Sequence, residues 1–232
     1  MEVLVFDIKS SIAHFRRPDT TNTHATYPFI PYTTVRGLAG SIIGLPDFKG
    51  KAWVGIRLIN AVKTSVQQMS MLGKGWLGGG SDINRPTAIE LLVAPHYRIY
   101  WHGDYVDQLK KYIYSSCSHY HTYLGSAFAL TFPEYVDCCH RSAVNISGQP
   151  ISCSTIVPMV AIEKLIPVPG TQYGRVGGMH CEYYGGRKFG ITTSVIYEPT
   201  GSDITLIPRK NNNSGNSYVF IDIGRGETVC LW

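Results

Sequence analysis

The chain has 232 residues, 44% of them apolar and 12% aromatic, which is enough to bury a substantial core in one domain, or in a main domain with a smaller one. Only 16% of the residues are charged, and the formal net charge of +5 is a mild basic excess that suits an acidic partner without requiring one. The composition excludes global disorder. It also excludes a transmembrane helix, because no stretch reaches the roughly 18 apolar residues that such a helix needs.

The N-terminus and the cysteines point to the cytoplasm. The opening MEVLVFDIKS lacks the basic lead and the small-residue cleavage site of a signal peptide. The six cysteines are irregularly spaced with no CxxC pair, so we expect reduced thiols. Neither Cys138-Cys139-His140 nor His180-Cys181 has the spacing of a structural zinc site. We therefore expect a soluble, cytoplasmic protein without a metal or another cofactor.

The first predicted element is a half-buried strand at about 2–9, indicated by the alternation of apolar and polar residues. A polar loop of more than twenty residues follows at 10–31. Loops this long inside a domain are usually functional or disordered, and Phe15, Tyr27 and Phe29 favour an ordered surface here.

The segment YTTVRGLAGSIIGL predicts the first helix, because its apolar residues recur at helical spacing. Thr33 or Thr34 is the predicted N-cap, and Gly44 with Pro46 is the stop signal.

The remaining elements of the first 135 residues complete a recognisable order. They are a strand at about 52–62, an extended hairpin at about 63–86, a strand at about 87–101, a helix at about 104–115 capped by Asp104, and a strand near 127–135. The order strand, helix, strand, strand, helix, strand predicts an α+β, ferredoxin-like (RRM-like) domain with a projecting β-hairpin thumb.

The chain changes character after about residue 135, where Pro, Gly, Ser and β-branched residues dominate. We predict a smaller C-terminal β-rich region at 136–232, after a first domain at 1–135. Its strand candidates lie at about 155–165, 189–197, 203–207 and 217–223. The glycine-rich stretch between 170 and 190 contains no phosphate-binding motif of the GxxxxGK[ST] or GxGxxG type, which argues against a nucleoside triphosphate site.

The most one-sided positive segment lies between Asp47 and Asp82, which contains five cations and no acid. These cations are Lys49, Lys51, Arg57, Lys63 and Lys74. Methionines and Trp76 are interleaved with them near the hairpin tip, and rings or apolar wedges beside cations hold single-stranded bases. The alternative is a solvated strand edge whose Met and Trp side chains fold back onto the core.

Two further basic groups complete the candidate RNA surface. One lies at the start of the long loop, with Arg36 in the following helix, and could hold phosphates or a flipped base. The alternative is a pair of surface arginines with the helix arginine Arg36 bridging to Asp19. The other basic group lies in the glycine-rich stretch, which is equally compatible with a string of tight turns. The candidate RNA-binding residues are Lys9, Arg16, Arg17, Tyr32, Arg36, Lys49, Lys51, Lys74, Trp76, Arg85, Arg175, Arg187 and Lys188.

Catalysis has weaker support in the sequence. Metal-independent RNA cleavage needs a base and an acid near neutral pH, and the candidates are His14, His24, His102, His119, His121 and Tyr32. None of them belongs to a catalytic motif, and there is no GxSxG or HExxH. We therefore expect a non-catalytic RNA binder, with a precursor-RNA endonuclease as the runner-up and an assembly-only subunit as a third possibility.

Three segments resemble the Cas-five family, the RAMP-superfamily subunit of type I CRISPR Cascade complexes. They are FDIKSSIAHFRRPDTTNTHATYPFIPYTTVRGLAGSIIGL, RPTAIELLVAPHYRIYW and YLGSAF at 123–128, and they span about the first 130 residues in the family's order. The likeness is closest to type I-B members.

The resemblance implies a ferredoxin-like body whose thumb caps the 5′ handle of the guide RNA (crRNA). It also implies contacts with the backbone subunit and the large subunit, and access to target DNA only through the complex. On this chain, Arg16, Arg17 and Arg36 would hold handle phosphates, and Lys74 and Trp76 would belong to the thumb. The type I-C branch cleaves precursor RNA with a tyrosine, a lysine and a histidine that match no motif here.

Overall fold

The computed structural model describes residues 1–20, 23–72, 84–186, 188–210, 218–224 and 226–232. The elements of the first part of the chain are β1 (Glu2–Lys9), β2 (Ile12–Ala13), α1 (Tyr32–Ile43), β3 (Ala52–Leu58), β4 (Thr64–Leu72), β5 (Asn84–Val93), β6 (His96–Gly103), α2 (Val106–Tyr114) and β7 (Glu134–His140). Within these ranges no helix has the length and apolar character needed to cross a bilayer.

The central sheet has the order β3-β6-β1-β7, and all its neighbours are antiparallel. Helix α1 connects β1 to β3, and α2 connects β6 to β7. Each of the two inner strands, β1 and β6, is thus followed by a helix that packs on the same face of the sheet. This is the ferredoxin-like arrangement. The fold is therefore α+β and ferredoxin-like, as the element order predicts.

Both faces of the central sheet are buried. On one face, Leu4 and Phe6 pack in the large core that includes side chains of α1 and α2. On the other, Val3 and Val5 pack against C-terminal side chains. The predicted bounds of β1 are confirmed, but its half-buried character is wrong, because the helices cover the face of Leu4 and Phe6 and the C-terminal strands cover the face of Val3 and Val5.

The thumb is an insertion between β3 and β6. Strands β4 and β5 pair from Thr64↔Leu92 to Leu72↔Asn84, and β2 joins the other edge of β5. The predicted tip of the thumb, with Lys74 and Trp76, lies outside the described residues. The single strand predicted at 87–101 is wrong, because Ala94, with φ 47°, separates two strands that belong to different sheets.

The long loop is ordered against the thumb and the core. Arg16 and Thr26 form an antiparallel bridge, and the Phe15 amide donates to Thr26 Oγ1 at 2.9 Å. The aromatic residues Phe15, Tyr27 and Phe29 are all buried. The order is thus as expected, but these three rings belong to the core and not to a surface.

The ends of the helices differ from their predicted caps. Pro31 is the N-cap of α1, so Thr33 and Thr34 lie inside its first turn, whereas Gly44 ends the helix at φ 85° as predicted. At α2 the N-cap is Tyr105, and the carboxylate of Asp104 instead accepts from the Lys51 amide at 2.8 Å.

The strand predicted near 127–135 begins later, as β7 at Glu134. Between α2 and β7 the chain forms a turn, closed by a bridge between Tyr123 and Leu130 and by a hydrogen bond from the Thr122 hydroxyl to the Thr131 carbonyl. The apolar residues that suggested the strand are partly exposed in this turn, where Phe128 and Leu130 alternate with buried Ala129 and Thr131.

The rest of the chain forms short antiparallel sheets. Its strands are β8 (Ser142–Ala143), β9 (Ile151–Cys153), β10 (Val157–Pro158), β11 (Ile162–Leu165), β12 (Gly174–His180), β13 (Tyr183–Gly185), β14 (Lys188–Phe189), β15 (Thr192–Tyr197), β16 (Ile204–Pro208), β17 (Val219–Gly224) and β18 (Glu227–Leu231). The four predicted strand regions all contain strands. The boundary between two regions at 135 and 136 stays a prediction.

Strands β17 and β18 cover the second face of the central sheet, where Ile221, Val229 and Leu231 pack on Val3 and Val5. Just beyond β18, Trp232 exchanges backbone hydrogen bonds with Val54 at 3.0 and 3.3 Å. The C-terminal segment is thereby fixed to β3, the edge strand of the sheet.

Candidate nucleic-acid interface

A cleft of about 550 Å³ opens beside the edge strand β3. One wall consists of the start of α1, the loop before β3 and the first residues of β3. The other consists of the segment 181–184 after β12, the start of β15 and the turn after β10, and Trp232 completes the lining. We call this surface the β3 cleft.

Three cations line the β3 cleft. Lys49 and Lys51 are exposed, and Arg36 is partly buried deeper in the wall. In the parts of the chain that the structure describes, none of the three forms an ion pair with a carboxylate. Their positive charge is therefore available to an anionic ligand.

Arg36 is held in a defined position. Its Nη2 donates to the Gly50 carbonyl, and its guanidinium carbon lies 5.6 Å from the ring centroid of Tyr32 and 5.2 Å from that of Phe48. Both distances are within the range of cation–π attraction. Its Nε is buried and has no hydrogen-bond partner among the described residues.

Exposed apolar and aromatic side chains line the same cleft. Tyr184, Ile191 and Val160 are 62%, 65% and 51% exposed, which is unusual for side chains of this size in a concave surface. Trp53 is partly exposed in the opposite wall. A nucleobase has two apolar faces and is attached to a charged phosphate, so a cleft with rings and cations is suited to bind one.

Two carboxylates at the cleft accept hydrogen bonds from tyrosine hydroxyls. Tyr184 donates to Glu182, which is the one carboxylate in the described lining. Tyr183 donates to Asp47 Oδ1 at 3.1 Å, a contact that ties the hairpin β13–β14 to the loop before β3. These contacts position both tyrosines at the mouth of the cleft.

The floor of the cleft contains groups that stay protonated at neutral pH. Burial raises the pKa of Tyr32 to about 12, and its hydroxyl donates to the Ala52 carbonyl. Burial also raises the pKa of the Cys181 thiol to about 11. Neither group is therefore suited to act as a base or a nucleophile at neutral pH.

The cleft brings together four of the thirteen predicted RNA-binding residues, namely Tyr32, Arg36, Lys49 and Lys51. Tyr32 is buried, so it supports the site from below and offers little surface to a ligand. Lys188 lies nearby on β14 and is exposed. The predicted residue Arg187 lies outside the described residues.

The other predicted residues that the structure describes are not in the lining of the cleft. Lys9 pairs with Glu134 at 2.8 Å and Arg17 with Asp19 at 2.7 Å, both at the surface. Arg16 is exposed on the long loop. Lys9, Arg16 and Arg17 are not in the described lining of the cleft that contains Arg36. The carboxylate of Asp19 pairs with the loop residue Arg17, whereas the helix residue Arg36 donates to the Gly50 carbonyl.

Two exposed arginines on strands remain. Arg85 lies on the thumb strand β5, opposite Met71. Arg175 lies on β12, with its Nη2 3.4 Å from Ser194 Oγ. Within the predicted basic segment, Arg57 is paired with Glu227 at 2.8 Å and is thereby neutralised.

The histidines considered for catalysis are scattered. His14 is buried with its Nδ1 2.8 Å from the Glu90 carbonyl, and its ring lies 6.3 Å from that of His24, whose pKa is lowered mainly by burial. His102 Nδ1 lies 2.8 Å from the Glu2 carbonyl. His119 contacts the ring of Tyr120 after α2. None of the candidate histidines is in the described lining of the β3 cleft.

The second wall of the cleft is the part that sequence reasoning missed. Tyr184, Ile191 and Glu182 lie in or just after the glycine-rich stretch, in which only basic residues are predicted to bind RNA. A signal was present, because Gly185 and Gly186 adjoin aromatic residues and both adopt positive φ, of 89° and 58°, as tight hairpin turns require.

Comparison with known families gives a match over the first part of the chain. Residues 3–94 match a family model described as "CRISPR-associated protein (Cas_Cas5)". Over this segment the chain is similar to the Cas-five family. The match covers β1, α1, β3 and the described part of the thumb, and it leaves the second wall of the cleft outside it. The type I-B subtype stays a prediction. No curated protein sequence matches this chain.

Solved structures share the fold of this chain at low sequence identity. A CRISPR protein from Archaeoglobus fulgidus is 12% identical, with 99% of this chain and 98% of that chain covered and a TM-score of 0.53. A chain of a CRISPR RNA-guided surveillance complex is 11% identical, with 89% and 91% covered and a TM-score of 0.50. A Cas protein is 11% identical, with 86% and 95% covered and a TM-score of 0.50. These likenesses concern the fold alone.

Proposed function

We propose that this chain is a non-catalytic RNA-binding subunit of a CRISPR effector complex and that it holds the 5′ handle of the guide RNA. The observation that carries the proposal is the β3 cleft, where Arg36, Lys49 and Lys51 lie beside exposed rings and form no ion pair within the described residues. Cations hold phosphates, and rings stack on unpaired bases. Single-stranded RNA offers both.

The covered central sheet supports the same site. In RNA-recognition domains with a four-stranded sheet, aromatic side chains on the open face of the sheet stack on bases. Here that face is occupied by β17 and β18, which bury Val3, Val5 and Tyr100. The covered face leaves the surface beside the sheet to RNA, and the β3 cleft lies at the edge strand of this sheet.

The complex that fits best is a type I Cascade in the cytoplasm, where the subunit takes part in antiviral defence or guided DNA targeting. Three resembling segments, the family match over residues 3–94 and a fold shared with a chain of a CRISPR RNA-guided surveillance complex support this assignment. The subunit would contact the backbone subunit and the large subunit, and it would reach target DNA only through the complex.

The chemistry of the cleft supports binding without cleavage. Metal-independent RNA cleavage needs a group that takes a proton from the 2′-hydroxyl near neutral pH. The high pKa values of Tyr32 and Cys181 make them poor bases, and the candidate histidines lie on other elements.

The test is binding of a fluorescently labelled repeat-handle RNA in EDTA, measured as anisotropy at several salt concentrations. We expect salt-dependent binding of the intact RNA. Lys49→Ala with Lys51→Ala should weaken binding about 10-fold and reduce the salt slope by about 1.4, because each phosphate contact to a single strand contributes about 0.7.

The matched control is Lys111→Ala with Lys164→Ala, which removes the same charge from exposed positions outside the cleft and should change binding little. Site-specific cleavage in EDTA would establish the nuclease alternative instead. Absence of binding at every salt concentration would leave an assembly-only subunit.

The long loop provides a second test. Arg17 makes two hydrogen bonds with Asp19 at the surface, where an ion pair contributes little stability and a phosphate can replace the carboxylate. Arg16→Ala with Arg17→Ala should therefore speed the dissociation of guide RNA without unfolding the protein. An unchanged dissociation rate would remove the loop from the proposed RNA surface.

A further inference from the structure

We infer that the β3 cleft accepts one unstacked nucleotide whose base carries an exocyclic amino group, and that Glu182 recognises this group. The inference rests on the proposed function, since it specifies which part of a single-stranded RNA enters the cleft. It concerns a wall that lies outside the family match over residues 3–94.

The size of the cleft fits one nucleotide. Its volume of about 550 Å³ is within the roughly 300–1,000 Å³ of pockets that enclose small ligands. Its walls come from α1, β3 and the β12–β15 region. Tyr32 and Trp232 are buried residues of the lining, and their rings stack with centroids 5.0 Å apart, so they form a closed side of the cleft. A strand that follows the surface can therefore insert a base only by turning it out of the stack.

The distribution of charge sets the orientation of this nucleotide. Lys49 and Lys51 are exposed, whereas Tyr184, Ile191 and Val160 form the apolar surface of the cleft. Phosphates stay where they meet cations and water, and bases lose water most readily against rings and aliphatic groups. The base therefore lies against Tyr184 and Ile191, with its phosphate toward the two lysines.

Glu182 gives the cleft a preference among bases. One of its carboxylate oxygens accepts from the Tyr184 hydroxyl, and the other has no hydrogen-bond partner among the described residues. A carboxylate accepts hydrogen bonds and donates none, so it favours the amino groups of adenine, cytosine or guanine. Uracil presents its single N–H between two carbonyl oxygens, which repel a carboxylate.

Two kinds of variant and one control separate the contributions of stacking, base preference and charge to RNA binding. Tyr184→Ala and Ile191→Ala remove apolar wall without changing any charge. Glu182→Ala removes the acceptor and also frees the Tyr184 hydroxyl. The matched control for Glu182→Ala is Glu163→Ala, which removes an exposed carboxylate on β11, outside the cleft.

The experiment compares oligouridylate with the same oligonucleotide carrying one central cytidine, adenosine or guanosine, by anisotropy with the intact protein. We expect the substituted RNAs to bind about 10-fold more tightly than oligouridylate, and this difference to disappear in Glu182→Ala and to persist in Glu163→Ala. Tyr184→Ala should weaken the binding of all substituted RNAs about 10-fold with an unchanged salt slope.

The outcomes distinguish the two levels of the proposal. If the wild-type protein binds none of these RNAs, nor the repeat-handle RNA, the proposed function fails. If it binds all four with equal affinity, and Tyr184→Ala and Glu182→Ala bind as the wild type does, RNA binding stands and the single-base cleft is overturned. Equal affinities combined with a loss in Tyr184→Ala would overturn the role of Glu182 alone.

Discussion

The ring of Tyr32 stacks on the ring of Trp232, with centroids 5.0 Å apart and planes inclined by 20°. Tyr32 is the first residue of α1, and Trp232 follows the last strand. The pair joins the two parts of the chain directly beneath the β3 cleft, so the shape of the cleft depends on a contact between distant segments.

Trp232→Ala should destabilise the protein by about 3–5 kcal/mol, because it removes a large, almost fully buried ring and leaves a cavity under Tyr32. The measurement is urea unfolding followed by circular dichroism. Tyr114→Ala, at a side chain that is 72% exposed on α2, is the control and should change the free energy of unfolding by less than about 0.5 kcal/mol. Equal effects of the two substitutions would contradict the stacked pair.

The free energy of unfolding should fall with rising pH between pH 10 and about 12. Burial raises the pKa of Tyr32 from 10 to about 12, so in this interval the unfolded chain binds fewer protons than the folded one. The pKa shift of Tyr32 corresponds to a contribution of about 2–3 kcal/mol to the free energy of unfolding. This contribution is fully present below pH 10 and is lost as the pH approaches 12.

Tyr32→Phe removes this contribution and, at neutral pH, about 1 kcal/mol from the hydrogen bond to the Ala52 carbonyl. Denaturant midpoints at pH 9 and at pH 11.5 test the prediction, with Tyr114→Phe as the control for the loss of one tyrosine. Parallel losses in Tyr32→Phe and in the wild type would show that Tyr32 does not contribute.

Gly125→Ala should lower the free energy of unfolding by about 3 kcal/mol or more. Gly125 adopts φ 83°, and a Cβ there would lie 2.0 Å from the His14 carbonyl oxygen, a backbone atom that cannot move alone. Gly148 has nearly the same φ, 81°, with no atom within 4 Å of the added carbon, so Gly148→Ala should cost only about 1 kcal/mol. Similar thermal unfolding of both variants would be inconsistent with the close approach of the YLGSAF turn to the long loop.

Cys117 should react first with a thiol reagent at pH 8. It is exposed, whereas Cys153 and Cys230 are buried, and burial raises the pKa of Cys153 to about 11. Thiol reactivity needs both access and the thiolate form. Cys117→Ser should therefore abolish the fastest phase of labelling, and Cys153→Ser should leave it intact. The reverse result would mean that the buried pair opens readily.

The sequence predicts the fold better than the site, because the fold depends on local patterns. The periodicity around Val35 and Leu38 and the alternation in β1 come from neighbours in the chain, and they yield the correct element order. The caps are wrong where tertiary contacts compete, as at Asp104, whose carboxylate accepts from the Lys51 amide and caps no helix. The split between β5 and β6 falls at Ala94, whose φ of 47° interrupts the extended backbone, and the two strands then pair in different sheets.

The cations of one wall of the β3 cleft could be predicted, because Lys49 and Lys51 stand in a segment without acids. Their neighbours across the cleft could not, since Tyr184 and Ile191 follow more than a hundred residues later in a stretch that reads as turns. Arg17 and Arg57 show the opposite error, in which the sequence predicts a free cation that the structure pairs with a carboxylate. A cation can be read from the sequence, but its partner in the fold cannot.

The contact of Val3 and Val5 with Leu231 packs β18 on one face of the sheet that contains β1, although the two strands lie far apart in the sequence. Pairings between residues so far apart in sequence form slowly, since a long loop must close before the contact is gained. During synthesis, β1 leaves the ribosome before β18, so one apolar face of its sheet stays uncovered until β18 has emerged. Through that interval the nascent chain exposes apolar side chains to which chaperones can bind.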